Sequence, residues 1–306
     1  MALLARATVA LALSVSACAL GGGSGSGDDA LPVAGTGPFA KLADPTGTTP
    51  LPEPFVLVDP LSDISDPAPL VLPGGGLRVF FGRGAGEIRR ADLPVSLAEA
   101  AADPVSVLAA TPDEGRAVAP SVVRRGDAVL LYYETQDGVA RATSTDGGAT
   151  FERDGIVLAG AAGPGAVVVD DRVFLYFTRP GEATIEVATA TDGVHFTVAP
   201  DPVLSPSGGS WDATGLGDPA ALGGRTATGD VHVGLYYTGT GMDGVAAIGY
   251  AGSRDGFGFE ALAAPVLDAA APSERGPAAL VHPDQVILLF TQNRSGKLAI
   301  AAATDP

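Results

Sequence analysis

The sequence is poor in cysteine, in basic residues and in long apolar runs, and each shortage excludes a class of structure or function. Cys18 is the only cysteine among 306 residues, so the chain cannot form an internal disulfide bond. Lys and Arg number 18 against 35 Asp and Glu, a formal net charge of -17. That balance argues against a nucleic-acid partner, because phosphate contacts need clustered basic side chains. No apolar run reaches the roughly 18 residues of a membrane-spanning helix.

Apolar residues, glycine and proline are abundant instead. Hydrophobic residues make up 46% of the chain, which is enough to bury a large core. Glycine (42) and proline (25) together exceed a fifth of the residues, and long helical patterns are missing. This combination predicts an all-β protein with many short strands and tight turns.

The N-terminus has the features of a lipoprotein export signal. Residues 1–18 place Arg6 before a short apolar stretch and end in Val15-Ser16-Ala17-Cys18. The ending resembles the bacterial lipobox, which implies lipidation of Cys18 and cleavage before it. An ordinary secretory signal with an incidental cysteine is the alternative.

Residues 19–53 are rich in Gly, Ser, Pro and Thr, and this composition predicts a flexible tether. Ala19 follows the cysteine, where an aspartate would favour retention in the inner membrane. The N-terminal region therefore predicts a protein that is lipid-anchored in the cell envelope, at the outer membrane or the periplasmic face. We expect the protein to be a monomer.

Five similar units follow residue 53. Each contains an apolar run that ends in aromatic residues: LRVFFGR (77–83), AVLLYYET (128–135), RVFLYFTR (172–179), VHVGLYYTG (231–239) and QVILLFTQ (285–292). A segment with proline and small apolar residues precedes each run, and another strand-like segment follows it. Four short strands over roughly 45–58 residues are typical of a propeller blade.

We therefore predict a five-bladed β-propeller over residues 54–306. The fifth unit ends before its fourth strand, and PFVLVDP (54–60) is predicted to supply that strand and close the last blade. Paired aromatics such as Tyr132-Tyr133 and Tyr236-Tyr237 are predicted to form the core between blades. A β-sandwich with accidental repetition is the alternative fold.

The segment from Ser144 to Phe151 (STDGGATF) resembles the Asp-box of sialidases. Its aspartate is expected to accept backbone N–H groups while glycine permits positive φ, so we interpret the motif as turn chemistry on an outer hairpin.

The fourth unit resembles the five-bladed propellers of glycoside hydrolase families 43, 32, 62 and 130. The resemblance is carried by Trp211-Asp212, Gly217-Asp218-Pro219-Ala220, the run from Gly234 to Gly239, and the segment from Ile248 to Phe259. It extends over the propeller through the repeats and is strongest over 210–268. It implies a carbohydrate-active protein whose partner is an oligo- or polysaccharide.

In a propeller, the starts of the innermost strands face a central funnel. The segments that start these strands here carry Asp66, Pro120, Pro164, Asp218 and Glu274. Glycosidic cleavage needs two converging carboxyl groups, one as base or nucleophile and one as acid. The resemblance implies Asp66 as the base-like residue and Glu274 as the general acid, with Asp218 tuning its pKa or orienting the sugar.

The pattern departs from family 43, which has its acids on blades one, three and four. The acids here fall on blades one, four and five, and Arg275 is inserted after Glu274. Asp66 and Asp218 could instead cap strand starts. The nearby residues predicted to bind sugar are Asp63, Arg116, Trp211, Asp212 and Arg275, with a core role as the alternative for Trp211.

The sequence leaves three functions open: a glycosidase-like enzyme, a glycan-binding propeller without catalysis, and a protein-interaction propeller. His195, His232 and His282 are isolated, so we predict no zinc site and no cofactor. A structural calcium ion in an acidic funnel stays open.

Overall fold

The computed structural model describes residues 35–42, 55–57, 63–94, 97, 104–208, 211–225, 229–267, 274–282, 285–294 and 296–305. Cys18, the predicted signal peptide and most of the predicted tether lie outside these ranges. Within them the chain forms antiparallel strands, and it has no helix that is long and apolar enough to cross a membrane.

The strands build five antiparallel sheets. The N-terminal strands are β1 (Ala40–Lys41) and β2 (Phe55–Leu57). Blade one has β3 (Ile64–Val71), β4 (Gly76–Arg83), β5 (Glu87–Pro94) and β6 (Val105–Ala109). Blade two has β7 (Val118–Arg125), β8 (Ala128–Glu134), β9 (Gly138–Ser144) and β10 (Glu152–Ala159). Blade three has β11 (Ala162–Val169), β12 (Arg172–Thr178), β13 (Glu186–Ala190) and β14 (Thr197–Val198). Blade four has β15 (Gly215–Arg225), β16 (Val231–Thr240), β17 (Ala246–Ser253) and β18 (Phe259–Ala261), and blade five has β19 (Glu274–His282), β20 (Gln285–Arg294) and β21 (Lys297–Asp305).

The first strands of the blades form a closed ring. Strand β3 packs beside β7, β7 beside β11, β11 beside β15, β15 beside β19, and β19 returns to β3. Each first strand pairs with its own second strand and each second strand with its third. This arrangement confirms the predicted five-bladed propeller.

The second strands carry the core. Each is an apolar run buried on both faces, as expected of a strand sandwiched between neighbouring blades. Their paired aromatics are almost completely buried, which confirms the predicted core between blades. These aromatics are Phe80, Phe81, Tyr132, Tyr133, Tyr176, Phe177, Tyr236, Tyr237 and Phe290.

Turns of blades two, three and four each cap an aromatic residue of the blade before them. Tyr132 donates its hydroxyl hydrogen bond to the Gly193 carbonyl, and Tyr176 donates to the Gly256 carbonyl, both at 2.9 Å. The aromatic residue three positions after the turn glycine packs edge-on to the same ring. The ring pairs are Phe80–Phe151, Tyr132–Phe196 and Tyr176–Phe259, with centroids 5.6, 5.9 and 5.6 Å apart.

The Asp-box segment belongs to this set of turns. Asp146 accepts hydrogen bonds from the backbone of Ala149 and Thr150 and from the Thr150 hydroxyl. These bonds hold the pKa of Asp146 below its ordinary value. The turn packs against Phe80, and a Cβ at Gly148 would stand 2.8 Å from that ring. The interpretation as turn chemistry is confirmed.

Blade five is closed by the N-terminal part of the chain. Strand β2, within the predicted closing segment, pairs with β21 through Phe55↔Ala301 and Leu57↔Ile300. This confirms the predicted closure. Strand β1 extends the same edge through Ala40↔Thr304 and Lys41↔Ala303.

The structure differs from the predicted flexible tether at residues 35–42. We name these residues the closing segment. Gly35 donates its N–H to Asp305 Oδ2 at 2.8 Å, as Gly148 does to the Ser144 hydroxyl in blade two. Tyr236 donates its hydroxyl to the Gly35 carbonyl at 2.6 Å. The closing segment therefore caps an aromatic residue of blade four, as the turns of blades three and four cap those of the blades before them.

Phe39 of the closing segment takes the role of the turn aromatics in the other blades. Its ring packs edge-on to Tyr236 with centroids 6.1 Å apart, as the turn aromatics of the other blades do. Phe39 is buried, and its N–H bonds the Val266 carbonyl of blade four. Burial of this ring supplies the hydrophobic free energy that a polar tether would lack.

Candidate active site

One end of the central cavity is defined by a backbone feature repeated in every blade. Each first strand contains a residue with positive φ directly before a proline, followed by a shift of strand register. We call these the pre-proline residues: Asp66 (55°), Ala119 (47°), Gly163 (55°), Asp218 (45°) and Gly276 (57°). All five line a cavity of about 290 Å³ at the axis of the propeller. Because the first strands run parallel around that axis, these residues share one end, which we call the mouth.

Positive φ is easily adopted by glycine and tolerated by aspartate, but it is strained for alanine. Ala119 nevertheless keeps this backbone geometry. The bulge is therefore a property of all five blades, and side-chain identity alone distinguishes the five positions. Only blades one and four present a carboxylate there.

Asp66 is held from two sides. Ser65 donates its hydroxyl to Asp66 Oδ2 at 2.6 Å, and the Asp66 N–H bonds the Thr291 hydroxyl oxygen at 2.9 Å. Burial raises the pKa of Asp66 to about 6, and the negative charge of Asp218 adds to the rise. The Ser65 hydrogen bond and the charge of Arg275 act in the opposite direction.

Asp218 is oriented by Thr238. The Thr238 hydroxyl donates to Asp218 Oδ2 at 2.9 Å. The Thr238 hydroxyl oxygen also accepts the Gly276 N–H at 3.1 Å. Gly276 lies between the two acids, since blade five lies between blades four and one. A Cβ at Gly276 would stand 2.7 Å from Asp66 Oδ1, so only glycine fits between them.

Glu134 is a third acid near the mouth, and the sequence analysis did not single it out. Its Oε2 accepts the Gly163 N–H at 2.8 Å, and its Oε1 pairs with Arg116 Nη2 at 2.7 Å. Its charge also contributes to the raised pKa of Asp66. Aligning the five second strands with one another would have identified Glu134 from the sequence. At the position directly after the last aromatic residue of each strand, Glu134 is the one charged residue. That position is occupied by Gly82, Glu134, Thr178, Thr238 and Thr291.

Two predicted sugar-binding residues reach the surroundings of the mouth. Arg116 lies beside Glu134, with 41% of its side chain exposed. Arg275 is exposed and directly precedes Gly276, and its charge acts on Asp66. Both guanidinium groups can therefore donate hydrogen bonds to a ligand at the mouth.

Glu274 does not line the cavity. It lies two residues before Gly276, at the position that apolar, buried residues occupy in the other blades: Ile64, Ala117, Ala161 and Leu216. Its side chain is completely buried and contacts Lys41 Nζ of the closing segment. The predicted alignment of Glu274 with Asp66 and Asp218 is therefore corrected, since Gly276 is their counterpart in blade five. The lysine compensates a carboxylate that would otherwise be costly to bury.

Trp211 packs on blade four. Its ring stacks on Tyr237 with centroids 5.8 Å apart and an interplanar angle of 27°. A Cβ at Gly239 or Gly249 would stand 2.2 or 2.3 Å from the indole, so the ring covers these two glycines closely. The indole N–H donates to the Ala263 carbonyl. These contacts favour the core interpretation of this residue.

Asp212 and Asp63 also lie away from the cavity wall. Asp212 is 4% exposed and accepts hydrogen bonds from the hydroxyl and the backbone N–H of Ser207. Asp63 is exposed and accepts the Leu298 N–H at 2.8 Å, which ties blade one to blade five. Both carboxylates have local hydrogen-bonding roles.

The mouth thus offers two carboxyl groups in unequal surroundings. Such a pair can transfer a proton and stabilise positive charge within one small cavity. The described residues contain no group of three or more His, Cys, Asp or Glu side chains placed to hold a metal ion.

Comparison with known proteins relates the fold to carbohydrate-active enzymes. No protein-family model and no curated protein matches the chain. Among solved structures, it is similar to an endo-arabinase from Bacteroides thetaiotaomicron (TM-score 0.60, 14% identity, covering 79% of this chain and 93% of that one). It is also similar to an α-L-arabinofuranosidase from Lactobacillus brevis (0.62, 15%, 81% and 92%).

A third similar structure represents the GH130 family of mannoside phosphorylases. This family contains glycoside hydrolases that target β-1,2 mannosidic linkages in Candida mannan. The third structure has a TM-score of 0.65 and 17% identity, and the match covers 91% of this chain and 99% of that one. At these identities the likeness shows the five-bladed propeller fold alone.

Proposed function

We propose that the chain is a glycosidase-like enzyme that cleaves oligo- or polysaccharides with Asp66 and Asp218. The observation that supports this most is the placement of both carboxyl groups at the mouth of one cavity, with burial and Asp218 raising the pKa of Asp66 to about 6. The similar solved structures, which include an endo-arabinase and an arabinofuranosidase, agree with a sugar substrate.

The raised pKa favours Asp66 for the acid role. In this proposal Asp66 donates its proton to the leaving oxygen as the glycosidic bond breaks. Asp218 provides the negative charge, either activating water as a base or attacking the anomeric carbon. This differs from the expectation that Asp66 is base-like and Glu274 the acid, because Glu274 is buried under Lys41. Activity should fall as the pH rises above about 6, since Asp66 then loses its proton.

The test compares three Asp→Asn variants of the chain without residues 1–18. Arabinan, xylan, fructan and mannan oligosaccharides are incubated with each protein, and the products are followed by mass spectrometry. Asp66→Asn and Asp218→Asn should lose at least about 100-fold in rate. Asp170→Asn is the matched control, because Asp170 also has positive φ and lies outside the cavity wall. Equal product formation by all three variants would exclude these carboxylates as the catalytic pair.

A glycan-binding propeller is the second candidate. It is favoured by the three pre-proline residues that bear no functional group, Ala119, Gly163 and Gly276. Retention of an oligosaccharide from the same panel without any product would support this alternative over catalysis.

We further propose that the protein is a monomer anchored in the cell envelope by a lipid on Cys18, at the outer membrane or the periplasmic face. The support is the sequence from Arg6 to Cys18. Metabolic labelling with a fatty-acid analogue should tag the wild type but not Cys18→Ser. Equal labelling of both proteins would contradict lipidation at this cysteine.

A further inference from the structure

Thr238 occupies a position that links both acids of the mouth. Thr238 is 6% exposed, and its single hydroxyl serves as donor and acceptor at once. It donates to Asp218 Oδ2 at 2.9 Å and accepts the Gly276 N–H at 3.1 Å. Gly276 in turn stands against Asp66 Oδ1, where a Cβ would be only 2.7 Å away.

We propose that Thr238 is a positioning residue that holds Asp218 and the Gly276 backbone so that the two carboxylates keep a fixed relation across the mouth. The inference rests on the proposed function for its consequence in catalysis, but the geometry itself does not require activity. Like charges repel, so a hydrogen bond that orients one carboxylate helps to keep it near the other.

The other blades show that this arrangement is specific. The residue that matches Thr238 in blade two, Glu134, accepts the Gly163 N–H of the next blade, and its counterpart in blade five, Thr291, accepts the Asp66 N–H. The matching Thr178 donates to the Ala162 carbonyl at 3.3 Å. Thr238 accepts an N–H of the next blade, as Glu134 and Thr291 do. In addition, its hydroxyl donates to a carboxylate of the mouth, that of Asp218.

Thr238→Val removes the hydroxyl and keeps the shape, whereas Thr238→Ser keeps the hydroxyl. Without the hydroxyl, repulsion is expected to move the Asp218 carboxylate away from Asp66, and the pKa of Asp66 should fall toward its ordinary value. We expect a drop of about half a unit or more in the Asp66 titration midpoint. Thr238→Ser should restore the wild-type midpoint.

The experiment follows the carboxyl carbon of Asp66 by NMR, with its signal identified by its loss in Asp66→Asn. Thr178→Val is the matched control and should leave the midpoint unchanged, because Thr178 bonds neither carboxylate. If Thr238→Val lowers the melting temperature but leaves the Asp66 titration as in wild type, the residue is merely structural and the proposal is overturned. The titration is read without substrate, so an inactive wild type would sink the glycosidase proposal alone. If activity is found, the pH above which it falls should move down in Thr238→Val and return in Thr238→Ser.

Discussion

At the scale of single residues, Asp66 combines features that oppose stability. It adopts positive φ before a proline, lies in a narrow cavity and faces the charge of Asp218. Such features concentrate at sites where function needs them and the surrounding structure compensates for their cost. Two hydrogen bonds, from Ser65 to the carboxylate and from the Asp66 backbone to Thr291, supply part of that compensation.

We predict that Asp66→Asn stabilises the protein at neutral pH. The folded pKa of about 6 lies above the ordinary aspartate pKa of 3.8, so the folded state holds its proton between pH 4 and 6 while the unfolded state releases it. Stability of the wild type therefore falls as pH rises through that window. The variant should gain on the order of 1–2 kcal/mol at pH 7, discounted for partial exposure, and nothing below pH 4. Urea unfolding at both pH values measures this.

The control for that prediction is Asp170→Asn, which should change stability at neutral pH in the opposite direction. Arg225 forms hydrogen bonds with Asp170 and lowers its pKa, so the charged form contributes to the folded state. A wild type and an Asp66→Asn variant with parallel stability curves from pH 3.5 to 7 would contradict the raised pKa.

At the scale of elements, the repeats predict the blades because their signal is local. Each second strand is a continuous apolar run with aromatic residues, and that pattern is visible in a single sequence. The candidate active site is harder to predict from the sequence. Asp66 and Asp218 stand directly before proline, whereas Glu274 stands three residues before Pro277 and is thereby displaced from the mouth. Counting back from each proline identifies Gly276 as the equivalent position.

Contacts between blades could not be predicted in this way. Glu134 reaches the Gly163 backbone only because blade three packs beside blade two. The closing segment resembles the other turns, but Phe39 lies four positions after Gly35 instead of three. The partner of Gly35, Asp305, lies 270 residues further along the chain. Sequence periodicity does not reveal a turn that is divided between the two ends of a chain.

A pair of Tyr→Phe changes tests the turn contacts. The buried Tyr176 hydroxyl bonds the Gly256 carbonyl, so Tyr176→Phe should cost about 1 kcal/mol, because the carbonyl loses its partner. The buried Tyr237 hydroxyl has no hydrogen-bond partner among the described residues, so Tyr237→Phe should be neutral or slightly stabilising. Denaturant midpoints measure both. Equal losses in the two variants would show that the turn hydrogen bond does not stabilise the interface between blades.

At the scale of the whole molecule, the ring is closed by contacts between the two ends of the chain. The closing segment pairs with β21, provides a turn for Tyr236 and places Lys41 against the buried Glu274. Its removal would expose the part of the β21 edge that pairs with β1 and would take away the cation that the buried Glu274 contacts. Both consequences destabilise a propeller, which depends on every blade being flanked by two others.

We therefore predict that a chain beginning at residue 43 is less stable than one beginning at residue 35, by at least about 3 kcal/mol. Lys41→Met in the full chain should reproduce much of this loss, because it removes the cation that contacts the buried Glu274 carboxyl group. Lys41→Met with Glu274→Leu should recover most of it, since the other blades carry apolar residues at the matching position. Urea unfolding of these four proteins and of the full-length wild type measures the differences. Equal midpoints for the two truncated chains would mean that the closing segment does not hold the ring together, and failure of the double variant to recover would place the loss outside the Lys41–Glu274 pair.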